Sequence, residues 1–186
     1  MTRLLSISVF ITLALPTVGL AEMSHKGHAG HKMNMLSMVM NNNADELPID
    51  CTEVSEDVSI TVRAGIDHAM YSDGKQFGYN DYNWNVKPCA RVTVNFINED
   101  DVRHQWMLHG LPEYLYSDGM FHIELNGKGK AVGQFIVSGE NQTLLVHCDI
   151  SQHTEKGMKA QLVVGNGSGD LSNVPGVTIG NFNPAG

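Results

Sequence analysis

Thr143-Leu-Leu-Val-His-Cys-Asp-Ile-Ser-Gln-His-Thr-Glu-Lys-Gly-Met158 opens as an apolar, β-branched run and ends as a set of metal donors. Leu144 to Val146 reads as a strand, after which Cys148, His153 and Met158 follow at five-residue intervals. They offer a thiolate, an imidazole and a thioether. Two imidazoles, one thiolate and a long, weak Met make up the coordination of a mononuclear copper electron-transfer site. The loop lacks one His, and His104 in Arg103-His-Gln-Trp-Met-Leu-His-Gly110 is the donor expected to complete the set. It follows the strand-like run Arg91-Val-Thr-Val-Asn-Phe-Ile97 directly, so copper is expected between two neighbouring strand ends.

Outward from this loop the chain reads as all-β. Val58 to Arg63 alternates apolar and polar residues at period two, as a half-buried strand does. Further strands are expected at Asn83–Lys87, Arg91–Asn98, Gln105–His109, Phe121–Leu125, Gly133–Val137, Thr143–Cys148 and Lys159–Val164, with a helical turn at Glu113–Tyr116. About eight short strands between Gly, Asn and Asp turns argue for a sandwich or barrel. Neither a βαβ alternation nor an internal repeat is visible. The folded domain is expected over residues 47–165, with an extended tail of Gly, Asn and Ser over 166–186.

The N-terminal end reads differently. Arg3, the apolar run Leu4 to Leu15 and the small-residue end Gly19-Leu-Ala21 have the form of a secretory signal peptide over residues 1–21. The apolar run is shorter than the roughly 20 residues of a membrane-spanning helix. Losing Arg3 would leave 11 basic residues against 20 acidic ones, a formal charge of −9. Nucleic acid and anionic membrane surfaces are therefore not expected partners, whereas cations or basic docking surfaces are.

Residues 22–46 form a polar arm. Met23, His25, His28, His31, Met33, Met35, Met38 and Met40 are diluted there by Gly, Ser and Asn, so the stretch is expected to be flexible without a ligand. Thioethers suit Cu(I) and imidazoles suit either oxidation state, which makes the arm a candidate copper collector. Three cysteines accompany the export signal. With Cys148 on metal, Cys51 and Cys89 remain, and an oxidising compartment favours their disulfide. The alternative, either of them bonded to Cys148, would leave no thiolate for a metal.

These residues resemble a known family. His147-Cys-Asp-Ile-Ser-Gln-His153 with Gly157-Met158 resembles the last copper motif of multicopper oxidases, His-Cys-His-x-x-x-His-x-x-x-Gly-Met. His104-Gln-Trp-Met-Leu-His-Gly-Leu111 resembles their His-x-x-His-Leu-His-Gly-His motif. The resemblance implies that His104, Cys148, His153 and Met158 are type 1 copper ligands. Met107, Leu111 and Asp149 stand where the oxygen-reducing trinuclear cluster would have His, so an intact cluster is not expected in a monomer. His109 and His147 are retained. They read either as exposed residues or, with Met107 or Asp149, as a second, labile copper site.

Over the whole chain the resemblance is to small periplasmic cupredoxins of bacterial copper-tolerance systems (the CopI type). It implies a Greek-key β-sandwich, a periplasmic address and a part in surviving copper. Three functions are compatible: oxidation of Cu(I) to Cu(II) through the type 1 site, an electron shuttle to a periplasmic redox partner, and a non-redox copper buffer or chaperone. The arm does not suit a pure shuttle, and the thiolate does not suit a buffer. Asn83, Asn95 and Asn98 are candidates for a hydrogen bond near the sulfur. His68 and His122 have no partner in the pattern and read as surface or core residues.

Overall fold

The computed structural model describes residues 32–33 (backbone), 36–70 and 74–176. The signal segment and arm positions Met23, His25, His28, His31 and Met35 lie outside that range, as does the end of the tail. Among the described residues, eleven strands form two sheets. They are β1 (Lys32–Met33), β2 (Ser37–Met40), β3 (Asp57–Gly65), β4 (Gly78–Tyr79), β5 (Asn83–Val86), β6 (Arg91–Asn98), β7 (His104–His109), β8 (Met120–Leu125), β9 (Gly129–Ile136), β10 (Gln142–His147) and β11 (Lys159–Val164).

The larger sheet has the order β1-β2-β8-β7-β10-β11-β5 and the smaller β4-β3-β6-β9. Only β3 with β6 and β5 with β11 run parallel; the other pairs are antiparallel. Between β4 and β10 the chain passes repeatedly from one sheet to the other, the path of a Greek-key sandwich. All eight expected strands are present.

Period-two burial explains why these segments pair as they do. Along β6, Val92, Val94, Phe96 and Asn98 face inward while the residues between them are half-buried. One core fills the space between the sheets, centred on Trp106 with Trp84 at 5.8 Å and Phe121 and Phe135 at 6.1 Å each. Such aromatic pairs add about 0.5–1.5 kcal/mol beyond the area they bury. Gly133 of β9 lets the sheets close here, since a Cβ at that position would stand 2.7 Å from both Phe121 and Val39.

Val39 also marks a correction. Ser37–Met40 pairs with β8 and buries Val39 in the core, and Asn41 and Asn43 bond Ser117, Met120 and Tyr116. The polar residues around Val39 masked this strand in the composition, so the fold begins ahead of residue 47 and takes in Met38 and Met40 of the expected arm. At the other end, Leu171 donates its N–H to Gln161 and Val174 is buried, so the start of the tail packs along β11. A disulfide joins Cys51 to Cys89, with Cα atoms 5.7 Å apart, and Cys148 is a free, buried thiol. Such a bond fits an oxidising compartment. Among the described residues no helix is long and apolar enough to cross a membrane.

Candidate metal centre

Three donors converge at one end of the sandwich. His104 opens β7, and Cys148 and His153 lie in the loop from β10 to β11. Their donor atoms all lie within 4.8 Å of one another. His104 Nδ1 is 3.3 Å from His153 Nδ1, which is 3.5 Å from Cys148 Sγ. Nitrogens at that separation match two ligands converging on one ion at about 2 Å each. Met158, the last loop residue before β11, is fully buried.

The loop is wired to hold this arrangement. Cys148 N–H donates to Met158 O at 3.1 Å and Met158 N–H to His153 O at 3.0 Å, closing the loop on itself. Thr154 Oγ1 donates to Cys148 O at 2.7 Å. From outside, Gln76 and Phe77 both donate backbone N–H groups to Lys156 O. Gly157 makes that clamp feasible: its φ is 123°, and a Cβ there would lie 2.6 Å from Phe77 O. Phe77 in turn stacks on His153 at 4.4 Å and meets His104 edge-on at 5.2 Å, covering both imidazoles.

The electrostatics keep every donor available. Asp100 Oδ2 lies 2.8 Å from His104 Nε2, which places the ring proton there and leaves the Nδ1 lone pair facing the site. Burial lowers the His104 pKa against the pull of Asp100. His153 is lowered by burial and then by His104, so burial favours the neutral form of both rings. Burial pushes the Cys148 thiol up to about 11, while the backbone N–H groups of Ile150 and Gln105 at the sulfur favour the thiolate. A metal cation would supply the remaining drive for deprotonation. A thiolate, two imidazoles and a thioether suit copper better than hard cations, which take oxygen.

Two parts of this surround were invisible in the sequence. Nothing in local pattern links Phe77 or Asp100 to His104 and His153; only the folded turns do. The Asn candidates serve elsewhere. Asn98 Nδ2 donates to Val102 O and Leu125 O, Asn95 donates to Ser59, and Asn83 accepts from Gln161.

On the outer face of the larger sheet, His109 Nε2 stands 3.0 Å from His147 Nε2, with the rings stacked at 4.9 Å. Met107 is directly opposite His147 in register and is buried. Asp149 is exposed, and its backbone N–H donates to Gln105 Oε1 at 3.0 Å. His68 bonds Glu99 at 2.5 Å.

No family model matches the chain, and no curated protein matches its sequence. Solved structures do. Auracyanin A, a "blue" copper protein of Chloroflexus aurantiacus, is 21% identical over 59% of this chain and 99% of that one, with a TM-score of 0.44. The dithionite-reduced auracyanin of Roseiflexus castenholzii is 18% identical over 61% and 99%, also with a TM-score of 0.44. A multicopper oxidase of Pseudomonas thermotolerans is 16% identical over 58% of this chain and 29% of its own, again at 0.44. The metal reading rests on the donor atoms themselves.

Proposed function

We propose that this is an exported, periplasmic type 1 copper protein that serves copper tolerance by oxidising Cu(I) to Cu(II). His104, Cys148, His153 and Met158 hold the resident ion. The convergence of one sulfur and two Nδ1 atoms within 4.8 Å carries this reading. When bound there, copper supplies a one-electron couple in strong electronic contact with a thiolate.

The chain's own work is to keep the donors in one geometry for both charge states. Asp100 fixes the His104 ring, the Cys148–Met158 and Met158–His153 backbone bonds fix the loop, and Phe77 shields the imidazoles from water. Donors held this way need little rearrangement when an electron arrives or leaves. Cu(I) is the substrate; it gives up one electron and leaves as Cu(II), and the electron passes on to a periplasmic redox partner. The arm residues Met23, His25, His28, His31, Met33, Met35, Met38 and Met40 collect it. His109 and His147 form a second, labile copper site with Met107 beside them. His147 is the chain neighbour of Cys148, so substrate held there lies one peptide unit from the thiolate. That adjacency favours oxidation over a shuttle that only relays electrons between proteins.

The test is the visible spectrum of the Cu(II)-loaded protein during stepwise addition of Cu(I), with and without air. An intense thiolate-to-copper band, bleached by Cu(I) and restored by air, is expected. Cys148→Ala should lose the band and the oxidation while still taking up Cu(I). A band that Cu(I) leaves unchanged would turn the reading toward the shuttle. Absence of any band would remove Cys148 from the ligand set.

A further inference from the structure

Strand register places a row of soft donors across the outer face of the larger sheet. Met40 of β2 is opposite His122 of β8, His122 is opposite Met107 of β7, and Met107 is opposite His147 of β10. Directly paired residues project to the same face, with Cβ atoms about 4.5–5.5 Å apart. Their chain neighbours Val39, Ile123, Trp106, Leu108 and Val146 are in the core, so the row itself faces outward. Thioether, imidazole, thioether and imidazole therefore alternate over four adjacent strands.

The row is not ordinary outer-face packing. His122 is 4% exposed and Met107 8% exposed, and His122 Nε2 is buried with no hydrogen-bond partner. Glu124 Oε2 lies 3.7 Å from that nitrogen, beyond hydrogen-bond reach, and is already bonded by Gln105 Nε2 at 2.6 Å. The other carboxylate oxygen pairs with Arg103 at 3.5 Å. A buried nitrogen left without a hydrogen-bond partner is costly, so the site calls for a ligand. Thioethers on either side cannot donate a proton to it; their chemistry is to bind a soft cation. Methionine side chains are unbranched and adaptable enough to swing toward a common point between strands.

We infer that Met40, His122 and Met107 form a binding site for a soft monovalent metal ion, Cu(I). Only the identity of the ion rests on the copper-handling function proposed above. The site borders the His109–His147 pair through Met107, which faces His147 on one side, but takes its imidazole from His122 on the strand beyond. It joins β2, the folded end of the Met-rich arm, to the imidazole beside Cys148. An ion released by the arm thus meets the three donors before it reaches His147.

The experiment uses Ag(I), a redox-silent stand-in for Cu(I), titrated into the reduced, copper-loaded protein carrying methyl-labelled methionines. Met40 and Met107 methyl resonances are assigned by Met40→Leu and Met107→Leu. These two, with the His122 ring, should shift together at the first additions. Each Leu variant should weaken Ag(I) binding by at least the 10–100-fold that loss of even an outer partner costs a metal site. Met40 is only half-buried, so its variant keeps the test open should Met107→Leu fail to fold. Early shifts confined to Met23, Met33 and Met35, or to Met158, would overturn the assignment. Reoxidation afterwards reports the thiolate-to-copper band separately, so loss of that band without loss of the Met40 and Met107 shifts would count against the function and not against this site.

Discussion

His104 is gripped from behind by Asp100, whose Oδ2 lies 2.8 Å from the ring Nε2 while Nδ1 faces His153. The same carboxylate oxygen accepts the Ile66 N–H at 3.0 Å, so one side chain ties the β3–β4 turn to the ligand. Asp100→Ala should free the ring to rotate and to change tautomer. Copper affinity is expected to fall by about 10–100-fold, measured by competition with a chelator, with the thiolate-to-copper band broadened. Unchanged affinity would mean that packing under Phe77 is enough to orient His104.

Gly157 and Phe77 form the complementary clamp on His153. Gly157→Ala adds a Cβ in a left-handed backbone position, 2.6 Å from Phe77 O. Strain of this kind costs of order 1–3 kcal/mol. The loop should relieve it by dropping the bonds to Lys156 O, which would move the Phe77 ring off His153. The expected result is faster copper loss, with a smaller drop in global stability because the two sheets do not pass through this contact. Thermal unfolding measured with and without copper separates the two effects.

The convergence of three donors was legible because most of it is local: Cys148 and His153 share one loop, and His104 follows the clearest strand in the chain. Period-two alternation exposed the strand at Val58–Arg63, and apolar runs between Gly, Asn and Asp turns exposed the other seven. What escaped notice depends on register. Val39 is flanked by methionines and asparagines, so its strand looked like part of the arm until β8 supplied its partner. His122 looked idle because its meaning comes from Met40 and Met107, which lie 82 and 15 residues away in the chain and directly beside it in the sheet. Phe77 and Asp100 reach the centre through turns that no periodicity encodes.

Tyr116 anchors the strand that the composition concealed. Its buried hydroxyl donates to Ile136 O at 2.9 Å and accepts from Ile136 N–H at 2.8 Å and Asn43 Nδ2 at 3.0 Å. Tyr116→Phe leaves those donors facing an apolar ring and should cost about 1–3 kcal/mol by urea unfolding. Burial raises this phenol from 10.0 to about 12. A folded pKa above the unfolded one gives stability that is complete below pH 10 and is lost as pH rises toward 12. The wild type should therefore lose stability more steeply across that interval than Tyr116→Phe does.

Cys51 and Cys89 close a loop with a sequence separation of 38, holding the segment ahead of β3 against the entrance of β6. In the chain-entropy account a loop of this length is worth about 4 kcal/mol. The bond lies at the β6 entrance, whereas His104 follows the far end of that strand, so its removal should act on the unfolded chain and leave the metal centre intact. Replacing both cysteines with Ser is expected to lower the urea midpoint substantially while the copper-loaded protein keeps its thiolate-to-copper band unshifted. A shifted band in that variant would show that the disulfide shapes the copper centre as well as stabilising the fold. The single replacements should be worse than the double one, because a lone thiol at either position can attack or pair with Cys148 during folding. Their band intensity per chain, compared with that of the double variant, measures this directly.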